Sequence, residues 1–211
     1  MHAYLLELAS LMAVFSFAIV APGADTAMVM RQAMVHGRRA AILTSIGIGT
    51  SLMFHVTYTI LGLGLIISQS LLLFAIIKWV GAAYLIYMGV MALRSGRTDL
   101  DPTTDEADTP RQSTFRAFGL GFLANALNPK PVLFFLSIFS ALVSASTPGM
   151  VKFGYGLVMA SCLIAWFVGV SFFMTTPRMR AVFSRMSKWI NRASGLVFIA
   201  FGLKLAAARA N

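Results

Sequence analysis

The chain reads as long apolar runs separated by short polar punctuation, and most of the runs approach the roughly 20 residues needed to cross a bilayer as a helix. In order they predict about six spans, at 4–30, 40–67, 78–93, 117–143, 151–175 and 193–208. Two runs carry residues that a membrane helix resists. In the first, Pro22 removes a backbone donor, Gly23 loosens the turn and Asp25 sets a carboxylate where hydrocarbon is expected. In the fourth, Asn125, Asn128, Pro129, Lys130 and Pro131 crowd the centre. Spans 1 and 4 are therefore expected to be interrupted. Between the fifth and sixth runs, 178–192 places Met179, Val182, Phe183, Met186 and Ile190 at helical spacing among basic residues. That pattern predicts an amphipathic helix on an anionic membrane surface, ahead of span 6.

Within span 2, Gly47, Ser51, His55 and Thr59 recur every fourth residue and share one helix face, where small side chains let a neighbouring backbone approach. Gly81, Gly89, Gly154, Gly156, Gly169, Gly195 and Gly202 are expected to mark further packing faces. Lys78-Trp79 has the character of an interfacial anchor, and Trp166, Phe167, Phe172 and Phe173 are expected to face lipid.

Composition agrees: 58% of the 211 residues are hydrophobic and 11% charged, with a mean hydropathy of +0.80, whereas a soluble domain is about a quarter charged. The sequence is that of an all-α integral membrane protein, a single domain over 1–211, with no length left for a soluble catalytic module. A net charge of +10 would suit a nucleic-acid binder, but the basic residues lie between apolar runs instead of in one patch. No nucleic-acid partner is expected. The single cysteine, Cys162, excludes disulfide frameworks and cysteine metal clusters. Without Lys or Arg before its apolar run, the N-terminus reads as a retained first helix and not a signal peptide.

Charge sets the orientation. Arg31, Arg38 and Arg39 follow span 1; Arg94, Arg97, Arg111 and Arg116 follow span 3; Arg178, Arg180, Arg185, Lys188 and Arg192 follow span 5. The other side holds Lys78, Lys152, Lys204 and Arg209. Cytoplasmic loops are the richer in Lys and Arg, so both termini are expected outside the cytoplasm and 94–116 becomes a polar cytoplasmic loop. Its Pro, Thr and Asp content predicts a connection, not a folded unit.

The halves, about 1–93 and 117–211, echo each other. Pro22-Gly23 answers to Asn128-Pro129, Lys78-Trp79 to Lys188-Trp189, and Gly89 to Gly202. An odd number of spans per half makes this an inverted repeat, three spans and three, and breaks at corresponding positions point to a binding site.

Several segments carry a family resemblance: Pro22-Gly23-Ala24-Asp25, His36-Gly37-Arg38-Arg39-Ala40-Ala41 with Gly47, Gly81-Ala82-Ala83-Tyr84-Leu85-Ile86-Tyr87-Met88-Gly89, and Asn128-Pro129-Lys130. In this order and spacing they resemble the LysE/RhtB family of amino-acid exporters over essentially the whole chain. The resemblance implies a bacterial inner-membrane efflux protein, driven by the proton gradient, for amino acids such as homoserine, threonine, lysine or leucine. A second proline is common in the family where this chain has Ala24, so a milder break is expected here.

Asp25, at the start of a resumed helix, can bind a substrate ammonium and exchange a proton, or can serve only as a cap. Lys130 can hold a substrate carboxylate or pair with Asp25. Asn125 and Asn128 can serve a substrate or the freed backbone groups, and Thr26, Thr44 and Ser45 can coordinate a ligand. His55 can relay protons or bond a neighbouring helix. The spans hold too few candidate ligands for a metal site and no nucleophile with a base, so neither a resident cofactor nor an enzyme is expected. A divalent cation or another small solute is the alternative cargo. An assembly factor would leave the intramembrane charges without purpose. Small-residue faces are compatible with a homodimer.

Overall fold

A computed structural model describes residues 2–69, 71–95, 112–173 and 176–207. Most of the 94–116 loop, from 96 to 111, lies outside them. The described residues form eight α-helices and no strand: α1 (His2–Val20), α2 (Ala24–Val35), α3 (Gly37–Gln69), α4 (Leu71–Arg94), α5 (Thr114–Ala126), α6 (Pro129–Leu142), α7 (Gly149–Phe173) and α8 (Pro177–Ala207). Five stretches are long and apolar enough to cross a membrane: His2–Val20, Gly37–Gly62, Ala75–Arg94, Gly149–Phe173 and Ala181–Ala207. α5 and α6, bent by 58° at the break between them, pass the same test only as a pair, which gives up to six. Large apolar side chains such as Leu6, Leu61, Leu196 and Leu203 point outward, as hydrocarbon solvent allows and water does not.

Two helix pairs form the frame, α3 against α5 and α4 against α8, with α7 packed on α3. Glycine sets both pairs. Carbonyl oxygens of Phe118 and Thr44 lie where a side chain on Gly47 or Gly121 would stand, and Thr44 Oγ1 donates to Ala117 O at 2.9 Å. Gly89 and Gly195 face each other's carbonyls across α4 and α8. Of the expected packing glycines, Gly154 and Gly169 differ, with open space at their Cβ positions.

Between the pairs, Phe15, Phe134, Phe135 and Phe198 pack in tilted and edge-to-face contacts at centroid distances of 5.6 to 6.5 Å. Glu7 fixes the height of α1 in the bundle. Its carboxylate accepts from Ser144 N–H at 2.9 Å, from the Thr147 hydroxyl at 2.9 Å and from the Tyr155 hydroxyl at 2.9 Å. The stretch of α1 from Glu7 to the break thus runs alongside α6 with matching length, and Pro22-Gly23 arrives opposite Asn128-Pro129.

Three sequence expectations change in detail. Residues 178–192 and 193–207 are one continuous helix, α8, instead of a surface helix and a separate span, because nothing between Arg192 and Ala193 removes a donor or a helical φ; the last residue of the expected span, 208, lies outside the described residues. α4 starts well before Lys78, which is buried at 7% exposure beside an exposed Trp79. Phe167 does not face lipid but is 2% exposed within the core.

Candidate functional site

Four helix ends converge at the two breaks, with α1 packed on α6 and α2 on α5. α1 closes with Ala21 N–H donating to Phe17 O at 3.1 Å, and α2 opens with Ala27 N–H donating to Gly23 O at 2.9 Å. Pro22, which has no N–H to give, stands between them. Gly23 is the N-cap at φ −161°, an extended conformation open to any residue, and no side chain caps α2. Its first turn presents orphan N–H groups, with Asp25 among them.

The second break is built differently. α5 ends at Ala126; Asn128 then caps α6, its Oδ1 accepting from Lys130 N–H at 3.0 Å. Pro129 takes the first helical position, where a missing donor costs nothing. The prolines here begin a helix; neither lies in a helix interior.

A cavity of about 90 Å³ lies where these ends meet. At about 10–15 Å³ for each water-sized group, it takes roughly six to nine such groups, the size of a small amino acid. Gly23, Asp25, Thr26, Asn125, Asn128, Lys130 and Pro131 line its polar end, and Phe15, Leu52, Met88, Phe134, Phe135, Leu163 and Phe167 line the rest. Among the site residues singled out from the sequence, Pro22, Pro129, His55, Thr44 and Ser45 do not line it. Exposed Lys130 lines it at its open side.

Asp25 and Lys130 share the cavity without a direct hydrogen bond or ion pair, their charges acting across space. The carboxylate is instead held by Asn125, whose Nδ2 donates to Asp25 Oδ2 at 2.8 Å. Asn125 is itself held by His55, whose Nε2 lies 3.1 Å from both Asn125 O and Asn125 Oδ1. A backbone carbonyl only accepts, so Nε2 carries the proton. Nδ1 is left to accept from the Tyr58 hydroxyl at 2.7 Å in the neutral ring. Every bond in the chain Tyr58, His55, Asn125, Asp25 then points toward the carboxylate. His55 is fully buried and stacks on Phe135 at 6.1 Å. Across the cavity, the Tyr84 hydroxyl donates to Lys130 O at 3.2 Å and ties α6 to α4.

Sequence reasoning missed Tyr58 and the apolar lining. Tyr58 lies one helical turn after His55, a findable spacing; the lining residues carry no signal that separates them from lipid-facing neighbours. Gly23→Ala is expected to leave folding and activity within about twofold, since a Cβ there meets Lys130 Nζ at 3.7 Å and Ala21 O at 4.0 Å, both ordinary contact distances. Thermal unfolding and transport measured together check this.

Membrane-length apolar helices gathered around a polar-ended cavity make a multi-pass membrane protein, and its family makes it a translocator and not an enzyme. The chain belongs to the LysE type translocator family, whose family model matches residues 16–209. It is 31% identical over 192 residues to the threonine efflux protein of Salmonella typhi, covering 91% of this chain and 93% of that one. To the threonine efflux protein of Escherichia coli (strain K12) it is 30% identical over the same shares. To the homoserine/homoserine lactone efflux protein of Salmonella typhimurium it is 30% identical over 194 residues, 90% of this chain and 91% of that one. No solved structure matches the chain.

Proposed function

We propose that the chain is a secondary exporter of small amino acids, of the size and polarity of threonine or homoserine, working by proton antiport in the bacterial inner membrane. One observation carries the reading: a carboxylate and an ammonium, Asp25 and Lys130, face a single cavity with the volume of a small amino acid. A zwitterion lays its ammonium against Asp25 and toward the negative C-terminal ends of α1 and α5. Its carboxylate turns toward Lys130 and the α6 N-terminus. Thr26, Asn125 and Asn128 supply the remaining polar contacts. Because Lys130 stands at the mouth, a divalent cation would meet a like charge, which disfavours the alternative cargo.

In this scheme a proton from outside discharges Asp25, weakens its hold on the ammonium and couples release to proton entry. Proton exchange is assigned to Asp25; His55 acts on it through Asn125. The domain over 1–211 works as an inverted pair of three-span halves, with spans 1 and 4 interrupted at the cavity. Both breaks bordering one cavity, and the third helices of the halves crossing at Gly89 and Gly195, support that arrangement. The basic loops after spans 1, 3 and 5 support periplasmic termini.

Cells loaded with labelled threonine or homoserine test the proposal. Export above the deletion background, abolished by a protonophore, is expected; export unaffected by collapse of the gradient removes the antiport, and no export of either removes the substrate class. Lys130→Gln is expected to raise the substrate concentration for half-maximal export about tenfold or more, from loss of a charge-assisted contact. Dose-response curves on inverted vesicles check it.

A further inference from the structure

Away from the amino-acid cavity, the first half of α8 and the last half of α7 enclose an open groove of about 310 Å³. Met179, Val182 and Met186 of α8 face Trp166, Val170 and Phe173 of α7 across it. Gly169 keeps its floor clear, with nothing within 4 Å of where its Cβ would stand. The walls offer hydrocarbon, and the Trp166 indole N–H, itself buried, has no acceptor among the described residues. From Trp166 to Phe173 the groove follows α7 for about 10 Å.

Charge gathers at the same end. Arg178, Arg185 and Arg192 recur every seventh residue of α8, a spacing that stacks them on one face beside the apolar stripe, with Lys188 close to it. All four are exposed, and among the described residues Arg178, Arg185 and Lys188 have no hydrogen-bond or ion-pair partner. Arg38 adds a cation nearby, its guanidinium 4.6 Å from the Phe172 ring centroid. After Asp108 the sequence contains no Asp or Glu at all, so the chain's second half has no side-chain carboxylate to neutralise this stripe.

We propose that the groove is a binding site for an anionic phospholipid from the leaflet on the side of the basic loops. One acyl chain lies between α7 and α8, and the phosphate meets Arg178 and Arg185. An apolar slot alone accepts any lipid chain; the arginines at its rim, without a partner among the described residues, select the headgroup. A second copy of this chain is a poorer occupant, because a two-fold interface here sets one basic stripe against the other.

The test uses the full chain with Trp79 and Trp189 replaced by Phe, which leaves Trp166 as its single tryptophan. In phosphatidylcholine vesicles, phosphatidylglycerol with brominated chains is expected to quench Trp166 with about fivefold greater effectiveness than brominated phosphatidylcholine. The preference is expected to fall below about twofold in Arg178→Gln/Arg185→Gln and in high salt. Equal quenching by both lipids overturns the proposal, as does a preference that survives the arginine substitutions. Loss of all quenching, with cross-linking between copies, hands the groove to a second chain. Should the tryptophan substitutions prevent folding, Gly169→Leu in the otherwise native chain decides. It is expected to erase the thermal stabilisation by phosphatidylglycerol while leaving the transition in detergent alone unchanged, and a stabilisation that persists overturns the proposal.

Discussion

Asp25→Asn is expected to lower proton-driven export by about 30-fold to 150-fold, from the loss of roughly 2–3 kcal/mol of charge-assisted contact, while the amount of inserted protein stays the same. The substitution keeps shape and volume. It also keeps an oxygen to accept from Asn125 Nδ2, the 2.8 Å bond that joins α2 to α5. What goes is the negative charge, and with it both the partner for a substrate ammonium and the group that takes up a proton. The residual flux is expected to lose its sensitivity to a protonophore, which separates a coupling defect from slower turnover. Asp25→Glu, with charge retained on a longer arm, is expected to fall between. Labelled threonine or homoserine export at matched protein levels measures all three, and wild-type export in Asp25→Asn removes this residue from the mechanism.

That the sequence pointed to this carboxylate has a physical reason. In an apolar run every polar group is expensive, so Asp25, Asn125, Asn128 and Lys130 stand out one by one, and the same breaks that admit them bring them to one cavity. The hydrocarbon side of that cavity was illegible for the converse reason. Along α7, Tyr155, Met159, Leu163, Phe167 and Val170 form a buried stripe, yet the outward residues Leu157, Val158 and Phe172 are just as apolar. With lipid as solvent, hydropathy has no helical period to report, and Phe167 could not be told from a lipid-facing neighbour. The interrupted pattern in α8 misled in a related way. Its basic and apolar positions describe a helix with two environments, and a continuous α8 holds both without ending at Arg192. In the sequence Glu7 is no more than a carboxylate near the N-terminus, and only three dimensions reveal that Ser144, Thr147 and Tyr155 converge on it.

Gly121→Ala is expected to lower the unfolding midpoint by about 4–8 °C, corresponding to roughly 2 kcal/mol of overpacking. The direction is informative, since Ala is the better helix former by about 1 kcal/mol and would stabilise α5 if propensity ruled. Here the added Cβ falls on the carbonyl of Thr44, and the reciprocal position, Gly47, meets the carbonyl of Phe118. Both obstacles are backbone, so no rotamer change relieves them and α3 must move off α5. That separation pulls at the Thr44 bond to Ala117 O and, about three turns further along α3, at the contact of His55 with Asn125. Export is therefore expected to fall with stability, and Gly47→Ala to repeat the result from the other side. Gly119→Ala, on the same helix with open space at its Cβ, is expected to leave both unchanged. If it destabilised α5 as much as Gly121→Ala does, the close crossing of backbones would not be what holds these two helices together.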